Sequence, residues 1–328
     1  MCKSKKFLQI YGCDFVGKTV CLVFFIKQSF CGECFYKNVS MSFKLAVVVV
    51  TLQCLKGRRE KPAFFRNQNM KKQIKDYVVR SNERLSDSYS LLKLQPADGS
   101  AIIDTCAGQF VEVEVPDSKS TFLRRPISIN FVDRDRNELW LLVRVAGEGT
   151  RHLVALAEGR VLSLVLPLGK GFSIPADTVS KVLLAGGGVG VAPMLYLGSE
   201  LKKRGFEVAF LLGARSKGDL LELEEFGKIG SVYVSTDDGS MGEHGLITKN
   251  SALQKSWQML YCCGPMPMMK AMASYAMRNN IECEVSLENR MACGVGACLC
   301  CVEDTVEGNL CVCKEGPVFN IKRLKWQI

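Results

Sequence analysis

Hydrophobic and polar positions keep two different rhythms along this chain. From Met70 to about residue 172, apolar side chains come in short runs that alternate with polar ones. Phe110-Val-Glu-Val-Glu-Val115 alternates apolar and acidic residues, as a strand with one buried face must. Similar runs at 127–132, 139–145 and 161–165 are separated by turn-forming residues such as Asp133-Arg-Asp-Arg-Asn137. Many short strands with turns between them predict a small antiparallel barrel. From Lys181 the rhythm changes. Lys181-Val-Leu-Leu-Ala185 is continuously apolar, the pattern of a parallel strand buried on both faces. A glycine cluster follows, then a helix at 193–203 with Gly205 just beyond its end. Strands at 207–212, 232–235 and 258–263 and a helix at 267–278 complete an alternation that predicts a doubly wound α/β domain with a parallel sheet. Residues from about Glu284 onward are rich in cysteine and glycine. They read as a small C-terminal subdomain too irregular for a core of its own and organised by metal.

The first 69 residues follow neither rhythm. Their apolar run, Leu45-Ala-Val-Val-Val-Val-Thr-Leu-Gln-Cys-Leu55, is flanked by Lys44 and Lys56. It falls short of the ~20 residues that span a bilayer. It has the length of a signal-peptide core, ~7–15 residues, but lies unusually far from Met1. Residues 1–69 are therefore expected to be a non-functional or disordered extension, and Met70-Lys-Lys-Gln would make an ordinary beginning.

Charge separates the same two parts. The formal net charge of +10 looks like a nucleic-acid or membrane signal until it is located. Residues 1–69 hold 12 Lys and Arg against 3 Asp and Glu, which leaves 31 against 30 for the rest. The main body is balanced, so no nucleic-acid or membrane partner is expected. The 16 cysteines divide into 6 before residue 70 and 10 after, and 6 of those 10 fall between Cys293 and Cys313. That is metal-like crowding rather than a disulfide framework, and with 2 histidines in the chain sulfur ligation is the expectation. A reduced, cytoplasmic setting fits.

Cys293-Gly-Val-Gly-Ala-Cys298-Leu-Cys-Cys301 is C-x4-C-x2-C, with a fourth thiol at Cys313. This is the spacing of a plant-type [2Fe–2S] site, with a shorter last interval. Gly294 and Gly296 allow the backbone to curl and aim N–H groups at sulfur. The competing reading is structural zinc, which favours paired C-x2-C knuckles. Cys300 and Cys311 are surplus and expected to be unligated.

Two further segments carry nucleotide chemistry. Leu123-Arg-Arg-Pro-Ile-Ser-Ile129 places a guanidinium, a rigid proline and a hydroxyl on one strand. Arg125 can neutralise a pyrophosphate, Pro126 fixes the backbone and Ser128 can reach a flavin ring. Gly147-Glu-Gly-Thr150 opens a helix whose N–H groups can hold phosphate. Ala185-Gly-Gly-Gly-Val-Gly-Val-Ala-Pro193 contains G-x-G-x-x-P, with the dinucleotide expected at Gly187, Gly188, Gly190 and Pro193. Cys263-Gly264-Pro265 ends a late strand and can line a slot between nicotinamide and flavin. Asp238, in Thr236-Asp-Asp-Gly239, is a candidate for nucleotide hydroxyls. Arg215 and Lys217 can meet a 2′-phosphate or belong to a solvated loop, which leaves NAD favoured over NADP.

R-P-I-S, G-x-G-x-x-P and C-G-P in that order resemble the ferredoxin–NADP reductase superfamily. The C-terminal cysteine motif with Cys313-Lys-Glu-Gly-Pro-Val-Phe319 narrows this. The chain from Met70 to Phe319 resembles the electron-transfer subunits of NAD-dependent, type B dihydroorotate dehydrogenases. The resemblance implies FAD contacts at Arg125, Pro126, Ile127 and Ser128, at Leu142, Val143 and Arg144, and at Gly149 and Thr150. It implies a [2Fe–2S] cluster on Cys293, Cys298, Cys301 and Cys313. It also implies a catalytic partner subunit carrying FMN, in a heterotetramer of two of each. The implied domains are an FAD-binding barrel at 70–173, an NAD-binding domain at 180–283 and a cluster segment at 284–328. The extension at 1–69 and Cys300, where a small residue such as glycine is usual, depart from the family pattern. The alternatives are a related reductase subunit serving ferredoxin, sulfide or hydrogenase partners, a zinc-stabilised nucleotide-binding regulator, and a variant anchored through 45–55.

Overall fold

The structure, a computed structural model, describes residues 71–327 and, before them, five short strands: β1 (Phe7–Ile10), β2 (Phe15–Val16), β3 (Thr19–Leu22), β4 (Phe24–Lys27) and β5 (Val50–Thr51). Strand β1 pairs antiparallel with β4, and β3 pairs antiparallel with both β2 and β5. The expectation of a non-functional extension at 1–69 otherwise lies outside the described residues. Residues 1–61 and 62–328 are separate compact units.

In the second unit, β6 (Gln73–Ser86), β7 (Tyr89–Pro96), β8 (Phe110–Val113), β9 (Arg125–Asp133), β10 (Glu138–Arg144) and β11 (Val161–Leu168) close into a barrel in the order β10-β7-β6-β11-β8-β9. Closure removes the edges that would otherwise need protection. The alternating pattern predicts the last four strands. It does not predict the long β6, because polar residues fill it and Tyr77 and Val79 are its only buried positions. In one respect β8 corrects the expected alternation. Glu114 is exposed, but Glu112 is buried along with every other residue of that strand. Between β10 and β11 lies α1 (Glu148–Val154).

Strand β12 (Lys181–Gly187) opens a seven-stranded sheet. It continues with β13 (Glu207–Ala214), β14 (Ser231–Thr236), β15 (Glu243–His244), β16 (Met259–Cys263), β17 (Glu282–Ser286) and, near the chain end, β20 (Val318–Asn320). The order is β15-β14-β13-β12-β16-β17-β20, parallel throughout except for β20. Helix α2 (Ala192–Lys203) leads from β12 to β13, α3 (Leu223–Ile229) from β13 to β14, and α4 (Met266–Arg278) from β16 to β17. Eight of the twelve residues of α2 are buried, because it lies between the sheet and the barrel. Barrel strands, α2, α3 and one face of the sheet share a continuous core that includes Ile129, Leu142, Leu184 and Leu195. The other sheet face, with Leu183 and Ala185, packs against Met272 and its neighbours on α4 and against the C-terminal segment.

That segment has more structure than its composition promises. Between β17 and β20, β18 (Val302–Thr305) and β19 (Gly308–Cys311) form a hairpin, followed by the single turn α5 (Val312–Glu315). Cys301, Val312 and Cys313 enter the second core. The expected boundary at 283/284 therefore cuts through β17, and the cysteine loop is an insertion at the edge of the sheet. Among the described residues no helix is long and apolar enough to cross a membrane.

Candidate functional site

Three chemical features converge around the barrel and the carboxyl ends of the sheet. The first is a cavity of about 420 Å³ lined by Thr121, Arg125, Pro126, Ile127, Gly149 and Thr150, among others. It joins two of the expected flavin segments. Arg124 and Arg125 have different fates. Arg124 is engaged by Glu114 Oε2 at 2.9 Å and by the Ser163 carbonyl at 2.6 Å. The Arg125 side chain donates to the Leu123 carbonyl at 3.1 Å, yet its Nε is buried without a hydrogen-bond partner. A buried, unused guanidinium donor beside an open cavity fits an anionic group such as a pyrophosphate. Gly149 leaves room there, because a Cβ would press on the Arg125 side chain, 3.1 Å from its Nε, and on the Thr121 methyl at 3.0 Å. The Thr150 hydroxyl caps its own helix instead, accepting from the amides of Ala146 and Gly147 at 2.9 and 3.1 Å. Ser128 is half-buried and outside the lining, while Leu142 and Val143 are 1% and 0% exposed in the core.

The second feature is a cavity of about 410 Å³ between barrel and sheet, with Tyr89 and Arg144 on one side and Gly187, Gly188, Pro265 and Met268 on the other. It lies where the strand order reverses between β12 and β16, the place where open α/β sheets bind their ligands. Gly188 has φ +56°, in the left-handed region that glycine adopts freely. Gly190 faces the end of β16, and a Cβ there would come within 2.5 Å of the Cys263 carbonyl oxygen. Gly190, Pro193, Cys263 and Gly264 thus form the frame behind the cavity rather than its surface. Cys263 and Cys262 point to opposite sheet faces. Burial pushes the Cys263 thiol well up, and its Sγ lies 4.0 Å from Glu288 Oε1. Arg215 lines the cavity together with Asp219 and Asp237. Asp238 does not join them. Its Oδ1 accepts from the amide and hydroxyl of Ser240 at 3.0 and 2.6 Å, and these bonds hold its carboxyl below the usual range.

The third feature is the cysteine loop. Gly294 and Gly296 adopt φ +65° and +85°, which lets the chain curl around Cys293. The amides of Val295 and Ala297 point at Cys293 Sγ at 3.5 and 3.3 Å, and the Cys313 amide points at Cys301 Sγ at 3.3 Å. The Cys293 thiol interacts with Cys298, and the Cys313 thiol with Cys301 and also with Cys293. Desolvation raises the Cys293 thiol, but hydrogen bonds from Val295, Cys298 and Ala297 outweigh it and bring it to about 6. Desolvation and the neighbouring Cys301 push Cys313 up to about 12. Among the described residues no three His, Cys, Asp or Glu side chains are grouped to hold a single ion. Zinc needs four ligands around one centre, whereas a binuclear cluster takes two thiolates on each iron. Four cysteine thiols spaced along one loop and its return are a donor set that fits the second. Cys300 is exposed, and Cys311 sits near Cys301, Cys293 and Cys298, whose charges raise its thiol after burial does.

Between the first and third features lies Glu112, which the sequence pattern places in an ordinary alternating strand. It is 2% exposed, and both carboxyl oxygens lack partners. Desolvation raises its carboxyl to about 7, with Arg125 lowering it and Cys293 raising it. A Cβ on Gly294 would lie 2.7 Å from Glu112 Cγ, so only glycine lets the cysteine loop rest on this side chain. The sequence carries the signal as an acidic residue in the middle of a short apolar strand, but strand period alone assigns it to solvent.

Two family models match the chain: the iron-sulfur cluster binding domain of dihydroorotate dehydrogenase B over residues 288–325, and the oxidoreductase NAD-binding domain over residues 184–274. The chain is 38% identical over 259 residues to the dihydroorotate dehydrogenase B (NAD(+)) electron transfer subunit of Shouchella clausii, covering 76% of this chain and 97% of that one. It is 35% identical over 256 residues to the same subunit of Fusobacterium nucleatum, covering 75% and 96%. Among solved structures, a chain of the NADH-dependent reduced ferredoxin-NADP oxidoreductase superposes with TM-score 0.68 at 26% identity, covering 76% of this chain and 90% of that one. The FAD/NAD-binding domain of a nitric oxide dioxygenase from Vibrio cholerae shares the fold at TM-score 0.54 and 23% identity, over 64% and 98%. With motifs, fold and relatives in agreement, the chain belongs to the family of electron-transfer subunits of dihydroorotate dehydrogenase B (NAD(+)).

Proposed function

We propose that this chain relays electrons between a catalytic dihydroorotate dehydrogenase subunit and NAD⁺, through a [2Fe–2S] cluster and FAD, in pyrimidine biosynthesis. The observation that carries the reading is the adjacency of a four-thiol loop, a cavity with an unused arginine donor and a glycine-framed dinucleotide cleft around one barrel. When bound, a flavin exchanges two electrons with a nicotinamide as hydride and single electrons with an iron–sulfur cluster. The residues do the rest. Arg125 neutralises the pyrophosphate of FAD, and the barrel strand around Pro126 and Ile127 fixes its position. Gly187 and Gly188 let a second pyrophosphate approach the start of α2. Asp219 and Asp237 on the wall of the cleft suit ribose hydroxyls and outnumber Arg215 beside them, which favours NAD over NADP. Cys293, Cys298, Cys301 and Cys313 would hold the cluster, and the amides on Cys293 and Cys301 would stabilise its more negative, reduced form.

The domain ranges 70–173, 180–283 and 284–328 name these three jobs, although barrel and sheet share one core. An electron-transfer subunit serves a catalytic one. We assign that partner the FMN, a place in a heterotetramer of two of each subunit, and a cytoplasmic setting. The purified, oxygen-protected chain should contain iron and acid-labile sulfide, reduce dyes with NADH and leave dihydroorotate untouched until the partner is added. Orotate formation by the chain alone, or a colourless protein without iron, would sink the relay.

A further inference from the structure

Asn130 and Glu222 meet across the seam between the barrel and the dinucleotide sheet. Asn130 lies on β9 and is 0% exposed, and Glu222 immediately precedes α3. Asn130 Nδ2 donates to Glu222 Oε1 at 2.8 Å. The second oxygen of each group, Asn130 Oδ1 and Glu222 Oε2, is buried without a hydrogen-bond partner. While the carboxyl is ionised both atoms are acceptors, and neither can serve the other. Glu222 also sits at φ 54°, in the left-handed region that non-glycine residues seldom adopt. One proton at this contact would turn two orphaned acceptors into a donor and an acceptor.

We propose that Glu222 is protonated and closes a two-bond ring with Asn130, its Oε2–H donating to Oδ1 while Nδ2–H donates to Oε1, and that this clasp positions the barrel against the sheet at the nicotinamide cleft. Glu222 and Asn130 are positioning residues and touch no substrate. Burial raises the Glu222 carboxyl to about 7, against the pull of the Asn130 hydrogen bond. The charged groups facing it are Glu225 on α3 and Glu83 on β6, which raise it further, and Lys93 on β7, which lowers it. Lys93 is itself drawn away, with its Nζ 4.3 Å from the centre of the Trp140 ring. The cleft takes Tyr89 and Arg144 from the barrel and Gly187 and Gly213 from the sheet, so its width follows the placement of one against the other. Other seam contacts, such as Tyr196 donating to the Thr105 carbonyl at 3.1 Å, do not depend on a proton that is lost near neutrality. The inference rests on reading that cleft as the NAD site.

The test uses the full chain loaded with FAD and cluster, as wild type, Glu222→Gln, Glu222→Ala and Asn130→Ala. Glutamine keeps both bonds at any pH, because its amide donates to Asn130 Oδ1. Infrared difference spectra at about pH 6 should show a protonated carboxyl band that Glu222→Gln removes. With NADH and a dye, the wild-type KM should rise about fivefold between about pH 6 and pH 8.5, one hydrogen bond's worth, with kcat nearly constant. Glu222→Gln should hold the low KM across that range, and both alanine variants should show the high KM throughout. Absence of a Glu222-dependent band at about pH 6, or a Glu222→Gln profile that rises like the wild type, overturns the clasp. Failure of every form, wild type included, to oxidise NADH overturns the reading of the cleft instead, and the infrared band still decides the clasp.

Discussion

Arg125 and Arg124 are neighbours of identical chemistry with opposite employment. The first lines a cavity and keeps a buried Nε without a partner, and the second is consumed by Glu114 and the Ser163 carbonyl. A charge-assisted hydrogen bond is worth ~1.5–3 kcal/mol, so Arg125→Ala should weaken FAD binding by roughly 10- to 100-fold. Arg124→Ala should leave the affinity within a fewfold of wild type and lower stability instead. Flavin titration by fluorescence and a urea melt separate the two effects. The R-P-I-S motif marks Arg125 only in company with the glycine turn and cysteine loop downstream, because alone it describes a strand with ordinary surface arginines equally well. Glu112 is illegible in the sequence for a different reason. Alternation says which residues share a face, but it is silent about a second element, here the Gly294 loop, covering the other face. Asp238 and Asp237 show the same limit at a finer grain. Both stand at the strand end, and the local turn that ties Asp238 to Ser240 leaves Asp237 on the cleft.

At the scale of elements, the cysteine loop is the piece whose parts test one another. Cys293 interacts with Cys298, and Cys313 with Cys301 and Cys293, while Cys300 is exposed beside them. Cys293→Ser should therefore remove most of the iron and the visible absorption of the cluster, whereas Cys300→Ser should leave both near the wild-type level. Iron and sulfide analysis of anaerobically purified protein gives the answer, and loss of the cluster in Cys300→Ser would overturn the ligand set. The C-x4-C-x2-C spacing with the later thiol names these four residues. What it omits is the β18–β19 hairpin and the return of the chain as β20 along β17. The second of those pairings joins residues far apart in sequence, so no local periodicity announces it. The glycine loop after β12 is a turn between strand and helix, as its residues predict, yet Gly190 is indispensable for a nonlocal reason, the closeness of the β16 backbone.

Across the whole molecule, buried carboxyls couple folding to pH. Burial raises Glu222 to about 7, whereas an unfolded glutamate titrates near ~4.3. Between those values the folded chain holds a proton that the unfolded chain has released, so this contribution to stability is fully present below about pH 4.3 and declines as pH rises to about 7. The wild-type stability should fall relative to Glu222→Gln across that window, by at most about 1.4 kcal/mol per pH unit, and the difference should be flat above it. Urea midpoints for the two proteins at several pH values between about 4.5 and 8.5 measure this directly, and parallel curves would contradict it. The seam that makes Glu222 unusual also places the cavity between Tyr89 and Gly188, because barrel and sheet meet through one core. By itself the sequence determined the order of the chemistry: an arginine strand, a glycine turn, a cysteine loop, and the barrel and parallel sheet that carry them. Each of those is written in residues close together along the chain, where side-chain period and spacing act. Only the tertiary structure decided that Glu112 lies under the cysteine loop, that Asp237 rather than Asp238 faces the cleft, and that Asn130 finds Glu222. Those contacts depend on how separate elements pack, and burial, not local pattern, sets their charge.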